Sequence, residues 1–371
     1  MQESWEPDWL LPEQFRALTP GEGLDRAIAD AVKAVLAEIE NADHYHLLFH
    51  LLNKNQDYDG SWCVAGLLAA FGKATRTEGE WYRENLEQEM IDPDRALDDE
   101  DWLRYLICDQ QDLVLSQVFG ISYLVAGDVM HHQPLALYGL DATADRVDLE
   151  RASSASSAIR MGARMLGMPS PPAVFRHATG RGISCLPTHP MACAFGADVD
   201  TDVPAAALRF MAGKALAYFY LWHPMAALYE PMQLGFMLMA IARVAAPEMA
   251  NFSSLDSLAK DLERALGQLS KTLDKRLMPA QRQLLRDCFE AYHEAGRPLD
   301  VGDWDAHVEL TANHVGLYLS DDPETVGSFL LNEYSALSPA DTRTKIEDFV
   351  TYIVAGRYRG FRRALGLDIQ I

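Results

Sequence analysis

The residues of this chain that could do chemistry fall in a few short stretches. In "HYHLLFH", His46 and His50 are four apart, which sets two imidazoles on one helix face and can bind a metal. Only Asp43 stands nearby to complete a ligand set, so these histidines read as structural. His131 and His132 are adjacent and point apart on any regular element. "ATGRGIS" carries a G-x-G but lacks the later glycine and lysine of a phosphate loop. Ser184 and Cys185 have no G-x-S-x-G frame around them. In "RFMAGKALAYFYLWHPMAAL", Arg209 to Leu228, Lys214 and Tyr218 are four apart and share a helical face, with His223 beyond them. "ELTANHVG", Glu309 to Gly316, supplies a carboxylate and Asn313.

Helices must carry most of these groups. "TPGE" at Thr19–Glu22 predicts a capped start, and Leu24, Ile28, Val32, Leu36 and Ile39 mark one face. Further helices are expected over about His44–Leu52 and Ser61–Ala74, a hairpin broken by "NQDYDGSW", then over the acidic "EGEWYRENLEQEM". Asp92–Glu100 reads as a linker or surface loop. "LICDQQDLVLSQVFGISYLVAGDVM" predicts a helix pair or one bent helix, and "SSASSAIRMGARMLGM" a helix that ends before Pro169. Short strands are expected near 172–176, 182–186 and 191–196. Asp202 and Pro204 open the long helix bearing Lys214. Others follow near 231–245, 253–275, 279–295, 304–319, 323–333 and 338–363, the last opened by "SPAD".

The bulk numbers exclude several classes. With 49% apolar and 23% charged residues, the chain is a packed globular protein rather than a disordered one. Its formal charge is −22, and residues 1–100 hold 22 Asp/Glu against 8 Lys/Arg, a balance of −14. A field of that sign repels nucleic acid and anionic membranes and favours basic partners. The last thirty residues are basic, with Arg343, Lys345, Arg357, Arg359, Arg362 and Arg363, too small a patch for DNA binding. Five scattered cysteines without a CxxC predict reduced, mostly buried thiols and a cytoplasmic protein. The start, "MQESWEPDWLLPEQ", is acidic and has two prolines, unlike a secretory signal. The uncharged run Ala215–Tyr229 is too short to span a bilayer.

"FMAGKALAYFYLWHP" resembles the active helix of HtpX-like zinc metallopeptidases, an apolar run carrying H-E-x-x-H and often a later His. In that likeness Lys214 falls on the first metal histidine, Ala215 on the general-base glutamate, Tyr218 on the second histidine and His223 on the later one. "ELTANHVG" resembles the family's E-x-x-A-D-x-x-G. There Glu309 matches the third zinc ligand, Ala312 and Gly316 the small residues, and Asn313 replaces the aspartate. More closely, the chain resembles the C-terminal part of large bacterial tetratricopeptide-repeat proteins, over roughly residues 44–335. That likeness rests on "YDGSWCVAGLLAAFGKA", "DRVDLERASSASSAIRMGARMLGMPSPPAVF", "RFMAGKALAYF" and "ELTANHVGLYL".

The resemblance implies an α+β, predominantly α-helical protein. Residues 1–100 would form a helical, repeat-like region with an acidic linker, and residues 101–371 a zincin-like domain with one small sheet. Zinc needs three His, Cys, Asp or Glu ligands and an open position. Lysine, alanine and tyrosine do not supply them, and no glutamate base remains to activate water. The expectation is therefore a fold without catalysis, holding no metal and no cofactor: a scaffold or interaction module for protein partners, a basic one favoured by the charge. The alternative is an enzyme of unknown class that reuses Lys214, Tyr218, His223 and Glu309 without zinc. Lys214 is expected to pair with Glu309 in the metal's place, with the Tyr218 phenol donating to the same carboxylate. The competing expectation has Lys214 reaching solvent and Glu309 on the surface.

Overall fold

Apolar residues at three- and four-residue spacing run through most of this chain, and the backbone answers with helices. The computed structural model describes residues 11–86, 93, 95–130, 134–151, 153–188, 190–201, 203–249, 260–296, 299–333 and 338–369. Among them lie α1 (Glu13–Arg16), α2 (Glu22–Ala37), α3 (Ala42–Lys54), α4 (Tyr58–Ala70), α5 (Arg76–Glu84), α6 (Asp99–Asp101), α7 (Leu113–Met130) and α8 (Ser154–Met165). A π-helical turn, Trp102–Leu106, extends α6. Three strands follow, β1 (Ala173–Arg176), β2 (Ile183–Leu186) and β3 (Ala192–Phe195). Then come α9 (Ala205–Ala217), α10 (Pro224–Leu228), α11 (Pro231–Ala245), α12 (Lys260–Arg276), α13 (Pro279–Ala295), α14 (Val301–Ser320), α15 (Pro323–Asn332), α16 (Thr342–Val354) and α17 (Arg357–Ala364). The protein is thus predominantly helical with one small three-stranded sheet, and none of these helices is long and apolar enough to cross a membrane.

The chain divides into two compact units, neither continuous in sequence. The first comprises residues 1–106, 165–167 and 316–371; the second comprises 107–164 and 168–315. This grouping differs from a linear division after residue 100: the last 56 residues, 316–371, go with the N-terminal helices, against which their own helices pack. The physical reason is α4. Its residues Asp59 to Leu68 are all buried, so it needs cover on every side. That cover comes from α3 and α5 and from the C-terminal α15, α16 and α17.

In the second unit β3 is central: β1 pairs with it in parallel and β2 antiparallel, in the order β1-β3-β2. All four β3 residues are buried, and α9 packs on β2. Leu140, Phe175, Leu186, Ala192 and Ala194 form a small cluster on this sheet. The larger core gathers Phe119, Met225, Leu234, Ile241, Phe289 and Trp304 from α7, α10, α11, α13 and α14.

Several boundaries differ from the sequence expectation. The first long helix starts at Glu22 behind Gly21, whose φ of 137° only glycine adopts easily, so Thr19 is no cap. The helix carrying Lys214 stops at Ala217, with Tyr218 as its cap. "SPAD" does not open a helix at Ser338; Asp341 caps α16 by accepting from Thr344 N. The single helix expected to Arg363 breaks at Gly356, φ 89°, into α16 and α17. The supposed surface loop before residue 100 buries Pro93 and Leu97, and Leu97 N donates to Met165 O at 2.9 Å. Residues 92 and 94 of that loop, Asp202, 253–259 of the expected helix, and His131 and His132 lie outside the described residues.

Candidate functional site

Lys214 sits in the last turn of α9, where the negative end of the helix dipole suits a cation. Glu309 is on α14, whose residues from Val308 onward are all buried. The structure brings the two together: Lys214 Nζ donates to Glu309 Oε1 at 3.2 Å. Their side chains are 16% and 5% exposed, so the reading with Lys214 in solvent and Glu309 on the surface is overturned. In that largely buried place the ammonium and the carboxylate compensate each other's charge.

Asp305 lies one turn before Glu309 on α14 and is 4% exposed. Burial, then the like charges of Glu309 and Glu230, push its carboxyl up to about 7. Asn313, one turn after Glu309, is also buried, and both atoms of its amide lack a hydrogen-bond partner. Asp305, Glu309 and Asn313 thus recur every fourth residue of α14, with one ammonium against Glu309.

His223 belongs to a different arrangement. It is fully buried, and its Nδ1–H donates to Ala217 O at 3.0 Å. A carbonyl only accepts, so that nitrogen holds the proton and Nε2 accepts from Gln111 Nε2 at 3.0 Å. Burial lowers its pKa to about 4, keeping the ring neutral. Gln111 also donates to Ser116 Oγ at 3.1 Å and accepts from Thr311 Oγ1 at 2.6 Å. Trp304 Nε1 donates to Ser116 Oγ at 3.0 Å, and Cys108 N to Thr311 Oγ1 at 2.9 Å. His223 therefore ties α10 to α7 and α14 through polar bonds already made, and it does not face an open cleft. Tyr218 is half-buried and packs against the larger core, and Ala215 is buried.

The other candidates are accounted for by ordinary structure. His46 Nδ1 meets the buried Glu78 Oε1 at 2.7 Å, and His44 Nδ1 meets Ala34 O at 3.0 Å. In the G-x-G loop Gly182 N donates to Asp198 Oδ1 at 2.7 Å and Gly180 N to His177 O at 3.1 Å. Cys185 is half-buried on β2, and desolvation there pushes its thiol up to about 12. All five cysteines are free thiols, four of them buried.

Zinc does not fit this arrangement. Positions 214, 215 and 218 offer an ammonium, a methyl and a phenol, and the Glu309 carboxylate already holds the ammonium. Among the described residues, no group of three or more His, Cys, Asp or Glu is placed to hold a metal ion. Sequence reasoning missed Asp305, Gln111, Ser116 and Thr311. The i, i+4 step from Asp305 to Glu309 was its one available signal. Compared with known proteins, the chain matches no family model, no curated protein and no solved structure.

Proposed function

We propose that this protein is a non-catalytic interaction or scaffold module: a repeat-like helical part joined to a degenerate zincin-like domain whose metal chemistry has been replaced by an ion pair. The supporting observation is the 3.2 Å contact of Lys214 with Glu309, at the positions that the likeness to HtpX-like peptidases reserves for metal binding. An ammonium there supplies the positive charge that zinc would supply, with no Lewis acidity and no exchangeable water. The bonded state of His223 supports the same reading, since a neutral, saturated imidazole moves no protons near neutral pH.

Elemental analysis of the purified full chain tests this. Zinc well below one equivalent, with no peptide hydrolysis, is expected. One chelator-resistant zinc per chain would overturn it. The second reading, an enzyme reusing this region without zinc, is favoured by Asp305 alone, a buried acid near 7 beside an ion pair. That reading requires a turnover that Asp305→Asn abolishes while folding is retained.

A further inference from the structure

The first unit contains 31 Asp/Glu against 15 Lys/Arg, a balance of −16 out of the chain's −22. Its basic C-terminal side chains are engaged within it: Arg359 pairs with Asp57, Arg362 with Asp59 and Asp321, and Lys345 with Glu333. In this unit an open groove of about 1460 Å³ runs along the C-terminal ends of α2 and α4 and one face of α16. Leu36, Ile39, Phe71, Leu331 and Ile346 line it, and none of them is fully buried. Leu331 is 43% exposed. Glu38 and Glu40 stand exposed in the same lining. Its two basic members are Lys73 and Arg343, and Arg343 Nε is bound to Glu347 at 2.7 Å.

We infer that this groove docks an amphipathic helix of a partner protein, its apolar stripe on the groove floor and its basic residues toward Glu38 and Glu40. The inference rests on the interaction-module reading and gives that reading a surface and a partner chemistry. The groove exceeds the roughly 300–1,000 Å³ of small-molecule sites. An apolar floor with charged edges is the form that receives one face of a helix. The unit's net charge selects the sign: it disfavours anionic partners and steers cationic ones in.

The probe is a synthetic Leu/Lys peptide of about 18 residues, five helical turns with one apolar stripe. Its controls are a scrambled peptide of identical composition and a Leu/Glu counterpart. Titrated into the full chain, the striped Leu/Lys peptide should bind at least tenfold tighter than the scramble, and the Leu/Glu peptide should not bind. Leu331→Gln with Ile346→Gln should weaken binding tenfold or more. Glu38→Gln with Glu40→Gln should weaken it severalfold and flatten its salt dependence. These side chains are exposed or half-buried, and circular dichroism melts check that the variants fold. Equal binding of the scramble, no binding of the striped peptide, or full affinity in both double variants overturns the groove assignment. Those results leave the zinc measurement untouched, so the two readings fail separately.

Discussion

Lys214 illustrates how a single side chain can compensate a buried charge. Paired with Glu309 at 3.2 Å, it turns a carboxylate that would be costly to bury alone into half of a compensated pair. Lys214→Met should destabilise the protein by about 3–5 kcal/mol, because the buried Glu309 carboxylate loses the ammonium beside it. Adding Glu309→Gln should recover much of that loss, and urea unfolding of the four proteins in a double-mutant cycle reads the coupling. Additive losses would mean the pair is incidental. Asp305 makes a second, pH-dependent prediction. Its carboxyl titrates near 4 when unfolded and near 7 when folded. Between those values the folded state holds a proton the unfolded state has lost. The contribution to stability is therefore complete below about pH 4 and lost as pH rises through 7. Asp305→Asn should match wild type near pH 4.5 and exceed it at pH 8, by on the order of a few kcal/mol. A constant difference across that range would mean that burial and the neighbouring charges do not raise the Asp305 carboxyl.

At the scale of elements, α17 decides how the first unit closes. Arg362 stacks its guanidinium 4.4 Å from the Trp62 ring centroid, pairs with Asp59 and Asp321, and donates to Leu367 O at 2.6 Å. Tyr358 OH donates to Asp321 Oδ1 at 2.6 Å. Burial raises the Asp59 carboxyl, and the Arg362 charge and hydrogen bond oppose that rise. Arg362→Met should cost about 3–5 kcal/mol, since two carboxylates lose the cation that compensates them; a loss under 1 kcal/mol in urea unfolding would reduce the cluster to packing. The buried position of this arginine was not legible in the sequence. "RYRGFRRA" reads as part of a small basic patch, and contact with Asp59 of α4, some 300 residues earlier, and with Asp321 makes Arg362 interior. The three strands and the helices Pro231–Ala245 and Pro279–Ala295 were legible, because local spacing and proline starts decide them. Helix ends at Gly21, Ala217 and Gly356 were not, since the backbone there follows positive-φ glycines or packing rather than a cap signature.

For the whole molecule, the charge of −22 is a standing repulsion that folding concentrates. Most of the buried pairs are shielded from salt, whereas the exposed carboxylates are not. The midpoint of thermal unfolding should rise as sodium chloride goes from about 20 to 500 mM, because screening relieves the folded state more than the extended chain. A falling midpoint would give the surface ion pairs, such as Arg76–Glu80, more weight than the repulsion. What the sequence determined by itself is what local pattern and composition control: a helical protein with a small sheet, free thiols and an acidic front. Through a resemblance it also offered Lys214 and Glu309 as facing partners, beside the competing expectation of Lys214 in solvent, and only the structure decided between them. Only the tertiary structure decided that residues 316–371 complete the first unit, that His223 is a neutral structural ring, and that Asp305 joins the Lys214–Glu309 pair. Those outcomes depend on which distant side chains share a dry interior, and desolvation and pairing are set by that company rather than by neighbours along the chain.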